Sequence, residues 1–424
     1  MSDIMNNNNL TQRSLNGLRL LFLAPYPPPY GGIASHLKTL MPSLIKDGAS
    51  DITVVSFGEK NCTERVDGIT VFRFNLKANL WRLLLPQNIP LILCVYKHLG
   101  KNGLSYSIFF QELIKAILTH KVVELHKSMV VSSHMVNNSL QLIPLNDYWG
   151  GKKGIVLTVL GEIYEAPDFF DHYQPLIHAL LAIPQFVLSS SCHCANSLSK
   201  IGNQRPIETV FYGVELEGEL TSVQRREAFR KANKIKKDDV VIFFMGRMLA
   251  DMGLDVVLDT IPSLIDDFST VRHVIAGATG DLTHRAIELA RMYPEKVLVL
   301  ENVSFALQRD LYSAADILVA PSFNQRACMG VSIKEAMAAR LPVVGGAGGG
   351  VSEAVVDGVT GFLIPIEPSG VVNAKAYLKA LHRLILEPEL RLHFGDAGRH
   401  RAEDIFSVHQ TNKRIAEILL ASKI

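Results

Sequence analysis

The stretch 314–361 reads A-A-D-I-L-V-A-P-S…G-V-S-I-K-E-A-M-A-A-R-L-P-V-V-G-G-A-G-G-G-V-S-E-A-V-V-D-G-V-T-G, and its reading decides the fold. Short β-branched runs alternate with short helices, and each strand-to-helix turn carries Gly or Pro-Ser. In a parallel sheet such turns gather at the carboxyl edge, where these folds bind ligands. Gly330 stands just before a helix reading V-S-I-K-E-A-M-A-A-R, so the free N–H groups of Val331 and Ser332 should face an anion. Glu335 lies one turn further on, placed to accept hydrogen bonds from hydroxyls. A diphosphate joined to a ribose satisfies both features.

The same scheme extends outward from this segment. Residues 18–24 form a continuous apolar run closed by P-Y-P-P-P-Y-G-G, which predicts a buried first strand and a rigid turn. A helical pattern follows over 35–46, then strand-like runs at 51–57, 68–74, 129–133, 155–159, 186–190 and 207–211. A charged segment, 214–239, separates these from a second set at Val240–Met245, 271–275, 297–300, Ile317–Ala320, 343–344 and 362–364. Strands alternating with helices imply parallel pairing. The expected fold class is α/β, with two doubly wound, Rossmann-like domains facing across a cleft. The expected division is a disordered tail at 1–17, a first domain at 18–213 and a second at 214–401. A C-terminal helix within 402–424 is expected to pack back on the first domain.

Bulk properties bound the partners. At 424 residues the chain exceeds one ordinary core, which agrees with two domains. Formal charge is +2, from 43 basic against 41 acidic residues, and this balance gives no support for a nucleic-acid partner. Five cysteines in a chain this long form no disulfide framework, so a reducing, cytoplasmic setting is expected. Cys192-His193-Cys194 has no second Cys/His pair at zinc-finger spacing and reads as a helix start after a strand. The Asn-rich N-terminus lacks the basic and apolar regions of a signal peptide. The longest apolar runs, such as 89–96, fall short of the roughly 20 residues that cross a bilayer, so the chain is expected in the cytoplasm or peripherally on a membrane face. Residues 76–120 mix apolar side chains with Lys and Arg. A core-facing helix pair is the expectation there, with a membrane-surface helix as the alternative.

With these landmarks assembled, the chain resembles the family 4 glycosyltransferases of the GT-B fold, from about Leu18 to Leu420. The matching residues are P-P-P-Y-G-G-I-A-S-H-L (27–37), V-S-S-H (131–134), Y-G-V-E (212–215), G-R…G (246–253) and the run 321–361. The resemblance implies transfer of a sugar from a nucleotide-sugar donor bound between the domains. It further implies retention of configuration, no metal and no covalent cofactor. The acceptor is expected to be a carbohydrate or a lipid-linked carrier, in cell-surface polysaccharide or glycoconjugate synthesis.

By the same resemblance, Gly31, Gly32, Gly246, Arg247, Gly330, Val331, Ser332 and Glu335 bind the donor. Arg247 contacts its phosphates, and His134 faces the transferred sugar, so these two are the candidate catalytic residues. Breaking a bond between a sugar and a diphosphate builds negative charge on the leaving oxygens, which a fixed guanidinium and N–H dipoles would stabilise. Glu353, behind the glycines 348–350, is expected to cap or orient their loop.

Three positions depart from the family pattern. Ala327 stands where a carboxylate is usual, Met252 where a lysine is common, and Leu160 where many members have histidine. Two readings follow: a working transferase with a rebuilt donor site, or a degenerate GT-B protein that partners an active transferase without catalysing. Persistence of Arg247, Gly330, Glu335, His134 and the glycine turns favours the enzyme.

Overall fold

The computed structural model describes residues 15–26, 32–199, 206–216, 222–325 and 328–424. Gly31, Ala327 and nearly all of the N-terminal tail therefore lie outside the described residues.

The first sheet contains β1 (Arg19–Leu23), β2 (Asp51–Phe57), β3 (Cys62–Val66), β4 (Ile69–Phe74), β5 (Val130–His134), β6 (Gly154–Val159), β7 (Phe186–Ser189) and β8 (Ile207–Thr209). Its spatial order is β3-β4-β2-β1-β5-β6-β7-β8. All neighbours pair in parallel except β3, which hairpins onto β4. The sequence reading missed β3, because C-T-E-R-V is a solvent-facing edge with no apolar run to mark it.

The second sheet contains β9 (Val240–Met245), β10 (Val271–Gly277), β11 (Val297–Glu301), β12 (Ile317–Ala320), β13 (Val343–Gly346) and β14 (Gly361–Ile364). Its order is β11-β10-β9-β12-β13-β14, parallel throughout. Helices cover both faces, which is why V-V-I-F-F of β9 is buried without alternation.

Both sheets reverse direction at their centres. From β1 the chain winds outward to β4, then returns to lay β5 beside β1. From β9 it winds outward to β11, then returns to lay β12 beside β9. Doubly wound sheets open a crevice at such a reversal, outside the carboxyl ends of the strands. His134 ends β5, the Gly32 turn follows β1, Arg247 lies just beyond β9, and the loop to Gly330 follows β12.

Two chain crossings join the domains side by side. Val214 pairs with Ser407, its N–H donating to the Phe406 carbonyl at 2.8 Å while Val408 N–H donates back to Val214 at 3.1 Å. The second-domain helix Pro388–Ile405 runs past the expected boundary at 401. Ala402 and Phe406 are still part of that domain's core. The last helix, Val408–Ala421, then returns to the first domain, burying Ile415, Ile418 and Leu419 beside Leu20, Phe22 and Leu40.

Candidate active site

The loops at the second reversal are packed tightly on one another. Gly253 has φ 77°, and a Cβ there would overlap the Pro321 carbonyl, so this position takes glycine for both space and conformation. Asn324 donates to the Asp251 carboxylate at 2.7 Å, and Ser322 Oγ donates to the Asp251 carbonyl at 3.0 Å. The G-R-M-L-A-D-M-G loop after β9 is thereby latched to the P-S-F-N loop after β12.

Gly330, at φ 69°, turns the chain into the helix Val331–Ala338. Its N-cap, Gly330, makes no side-chain bond to the first-turn N–H groups. On the facing domain, Gly32 opens the helix Gly32–Lys46, here α1. A Cβ on Gly32 would stand 3.7 Å from the Val331 side chain. Gly32 of the first domain thus meets Val331 of the second across the cleft.

Glu335 is partly buried and accepts a hydrogen bond from Tyr312 Oη at 2.6 Å. Burial raises its carboxyl to about 7, against the lowering effects of Tyr312 and Lys334. Arg247 is exposed, and its guanidinium makes no hydrogen bond or ion pair to another described residue. Its five donors remain available to a ligand. The Met252 methyl lies against Gly246, 3.7 Å from where a Cβ would sit.

His134 is buried. Its ring is 3% exposed and lies inside the first domain, near Phe22 and against α1, instead of opening on the cleft. Strand alternation explains this: Val130, Ser132 and His134 share the face that α1 and the last helix cover. Burial depresses its pKa to about 4, so the ring is neutral at pH 7. Its Nδ1 lies 3.4 Å from Tyr212 Oη, and the Tyr212 ring stacks on His36 at 3.8 Å. His134 is thus placed against Tyr212.

Four further residues shape the contact between the domains and the loops around it. Lys334 is buried and donates to the Tyr212 carbonyl at 2.6 Å, tying the donor helix to the first domain, and burial lowers its pKa to about 8. Tyr212 and His36 complete that contact. Glu162 is buried and accepts from the N–H groups of Val136 at 2.8 Å and Leu160 at 2.7 Å. Glu353 needs correcting. Its carboxylate takes the N–H groups of Cys192 at 2.8 Å and His193 at 2.5 Å, so it caps a helix of the opposite domain and not its own loop. A carboxylate capping another element leaves no local spacing signal.

Residues 225–401 match the family described as glycosyl transferases group 1. The match lies within the second domain. The matched segment contains Arg247, Gly330 and Glu335 together. An uncharacterized glycosyltransferase of Methanocaldococcus jannaschii is 24% identical over 364 residues, 82% of this chain and 85% of that one. A D-inositol 3-phosphate glycosyltransferase of Streptomyces bingchenggensis is 28% identical over 208 residues, 46% of this chain and 44% of that one. Among solved structures, sucrose-phosphate synthase from Thermosynechococcus elongatus superposes with a TM-score of 0.73 at 16% identity, covering 95% of this chain and 98% of that one. HepE from Anabaena, in complex with UDP and glucose, gives 0.70 at 17% identity over 95% and 100% of the two chains. The fold of the chain is GT-B.

Proposed function

We propose that the chain is a glycosyltransferase that moves a sugar from a nucleoside-diphosphate donor to an acceptor, with retention of configuration and without a metal or covalent cofactor. The observation that carries the reading is the meeting of Gly32 with Val331 across the cleft, over the helix start at Gly330 and in the same helix as Glu335. The diphosphate sits on the Val331 and Ser332 N–H groups, Arg247 takes its developing charge, and Glu335 accepts the ribose hydroxyls. That HepE was solved with UDP and glucose supports a donor of this class.

The test is release of nucleoside diphosphate from a panel of nucleotide sugars, alongside thermal shift with the nucleotides alone. Turnover with at least one donor is expected. Binding without turnover would instead favour the non-catalytic partner, and no response to any nucleotide would defeat both readings.

The acceptor is proposed to be lipid-linked, met at a membrane face. No helix among the described residues is long and apolar enough to cross a membrane. Residues 76–111 contain Lys77, Arg82, Lys97 and Lys101 but no Asp or Glu. The helix Ile89–Leu99 does bury Leu91, Val95 and Leu99, as the core-facing expectation required. Its other face leaves Ile89, Leu93 and Tyr96 exposed, beside exposed Trp81, Leu84 and Tyr106. Exposed apolar side chains on a segment with basic but no acidic residues suit an anionic bilayer surface, although Lys97 pairs with Asp147 at 3.0 Å. The protein is expected to co-sediment with vesicles containing anionic phospholipid but not with neutral ones, and Leu93→Asp should abolish this. Equal binding to both vesicle types, or none, would reject the membrane assignment.

A further inference from the structure

We propose that Cys194 and Cys328 are a redox pair whose disulfide locks the two domains across the cleft. Cys194 lies in the first-domain helix Cys192–Ser199, and Cys328 lies just before Gly330 in the second domain. Their sulfurs are in direct contact at 2.7 Å. Nothing in the donor chemistry above requires a thiol at either place.

The two segments are clamped in register by contacts that exclude the thiols. Glu353 holds the N–H groups of Cys192 and His193, and His193 Nε2 is 2.8 Å from the Gln325 carbonyl. The His193 ring also stacks on Tyr164 at 4.7 Å. Each cysteine is therefore presented to the other by neighbours a few residues away, so the effective thiol concentration is set by the fold.

Accessibility gives the order of events. Cys194 is buried, whereas Cys328 is partly exposed and can meet a small oxidant. Contact with Cys194 holds the Cys328 thiol below its ordinary range, against the opposing effect of burial. A hydroperoxide is the oxidant class that fits. The Cys328 thiolate attacks one peroxide oxygen, forming a sulfenic acid and releasing hydroxide or an alkoxide. The Cys194 sulfur then attacks the Cys328 sulfur; the S–O bond breaks, the S–S bond forms, and the Cys194 proton leaves with the oxygen as water. Two electrons pass from the thiols to the peroxide.

The consequence follows from the chain path. The domains are joined by two adjacent crossings, at Val214 and Ser407, so rotation about them opens or closes the cleft. A third covalent connection removes that rotation. It also fixes the loop leading into Val331 and Ser332, so nucleotide held there would leave slowly. This last step rests on the proposed donor site; formation of the bond does not.

The full-length protein is treated with hydrogen peroxide, free thiols are blocked, and cysteine peptides are mapped by mass. The expected product is a Cys194–Cys328 linked peptide, two hydrogens lighter than the reduced pair and restored by dithiothreitol. Donor turnover should fall by about tenfold or more on oxidation, because product release often limits such enzymes, and should recover on reduction. Cys194→Ala and Cys328→Ser should each keep the reduced-state activity and lose the response. Pairing of Cys328 with exposed Cys192, or its recovery only as sulfinic acid, would overturn the pair. A linked peptide with undiminished turnover would overturn the lock. Peptide mapping needs no activity, so failure of the transferase reading would be seen separately.

Discussion

Replacing Glu335 with alanine is expected to weaken donor binding and lower kcat/KM by one to two powers of ten. Hydrogen bonds to a charged acceptor are worth about 1.5–3 kcal/mol, and each 1.4 kcal/mol is a factor of ten. The ribose is held equally in the ground and transition states, so the loss should fall mainly on KM. Removing the carboxylate also strands Tyr312 Oη, so Tyr312→Phe is the control for a purely structural effect.

The acid-base behaviour of Glu335 gives a second readout. Burial lifts its carboxyl from the ordinary 4.5 to about 7 in the folded protein. Its ionised form is therefore the disfavoured one. Its contribution to stability is fully present below pH 4.5 and is lost as pH rises through 7. Donor binding has the opposite sign, because hydroxyls need the carboxylate as acceptor. Affinity for nucleoside diphosphate should rise between pH 6 and 8 in the wild type and stay flat in Glu335→Gln. Titration calorimetry across that window checks this, and a flat wild-type profile would remove Glu335 from the site.

How much of this was legible in the chain depends on where the physical signal is stored. The parallel strands were readable because burial on both faces leaves continuous apolar runs, and Val240–Met245 and Ile317–Ala320 coincide with β9 and β12. The glycines were readable because close approach admits nothing larger, as at Gly253. Side-chain direction was not. His134 ends its strand as expected, yet its ring turns inward because α1 and the last helix, distant in sequence, cover that face. Glu162 looks like one acid among several until Val136 and Leu160 supply their N–H groups. Lys334 sits inside the most readable motif, but its partner, the Tyr212 carbonyl, is 122 residues away. A contact of that separation carries no local spacing pattern, and all three of these residues are buried.

Arg247→Ala should have the larger effect on the chemical step. The diphosphate gains charge as the sugar bond breaks, so a guanidinium facing it is worth more in the transition state than in the bound ground state. Losing one such preorganised donor typically costs about 2.7–4 kcal/mol, or roughly 10²–10³ in kcat. Met252 makes this loss harder to absorb, because the same loop carries no lysine at that position. Lysine at 247 should recover part of the rate, since it restores the charge but lacks the planar fork that grips two oxygens. Folding should be unaffected. The Arg247 side chain is exposed and unpaired among the described residues, so the melting temperature should move little while turnover collapses. That split separates a catalytic role from a structural one. Steady-state kinetics beside thermal melting would show it, and an unchanged kcat in Arg247→Ala would place the leaving-group charge on other residues.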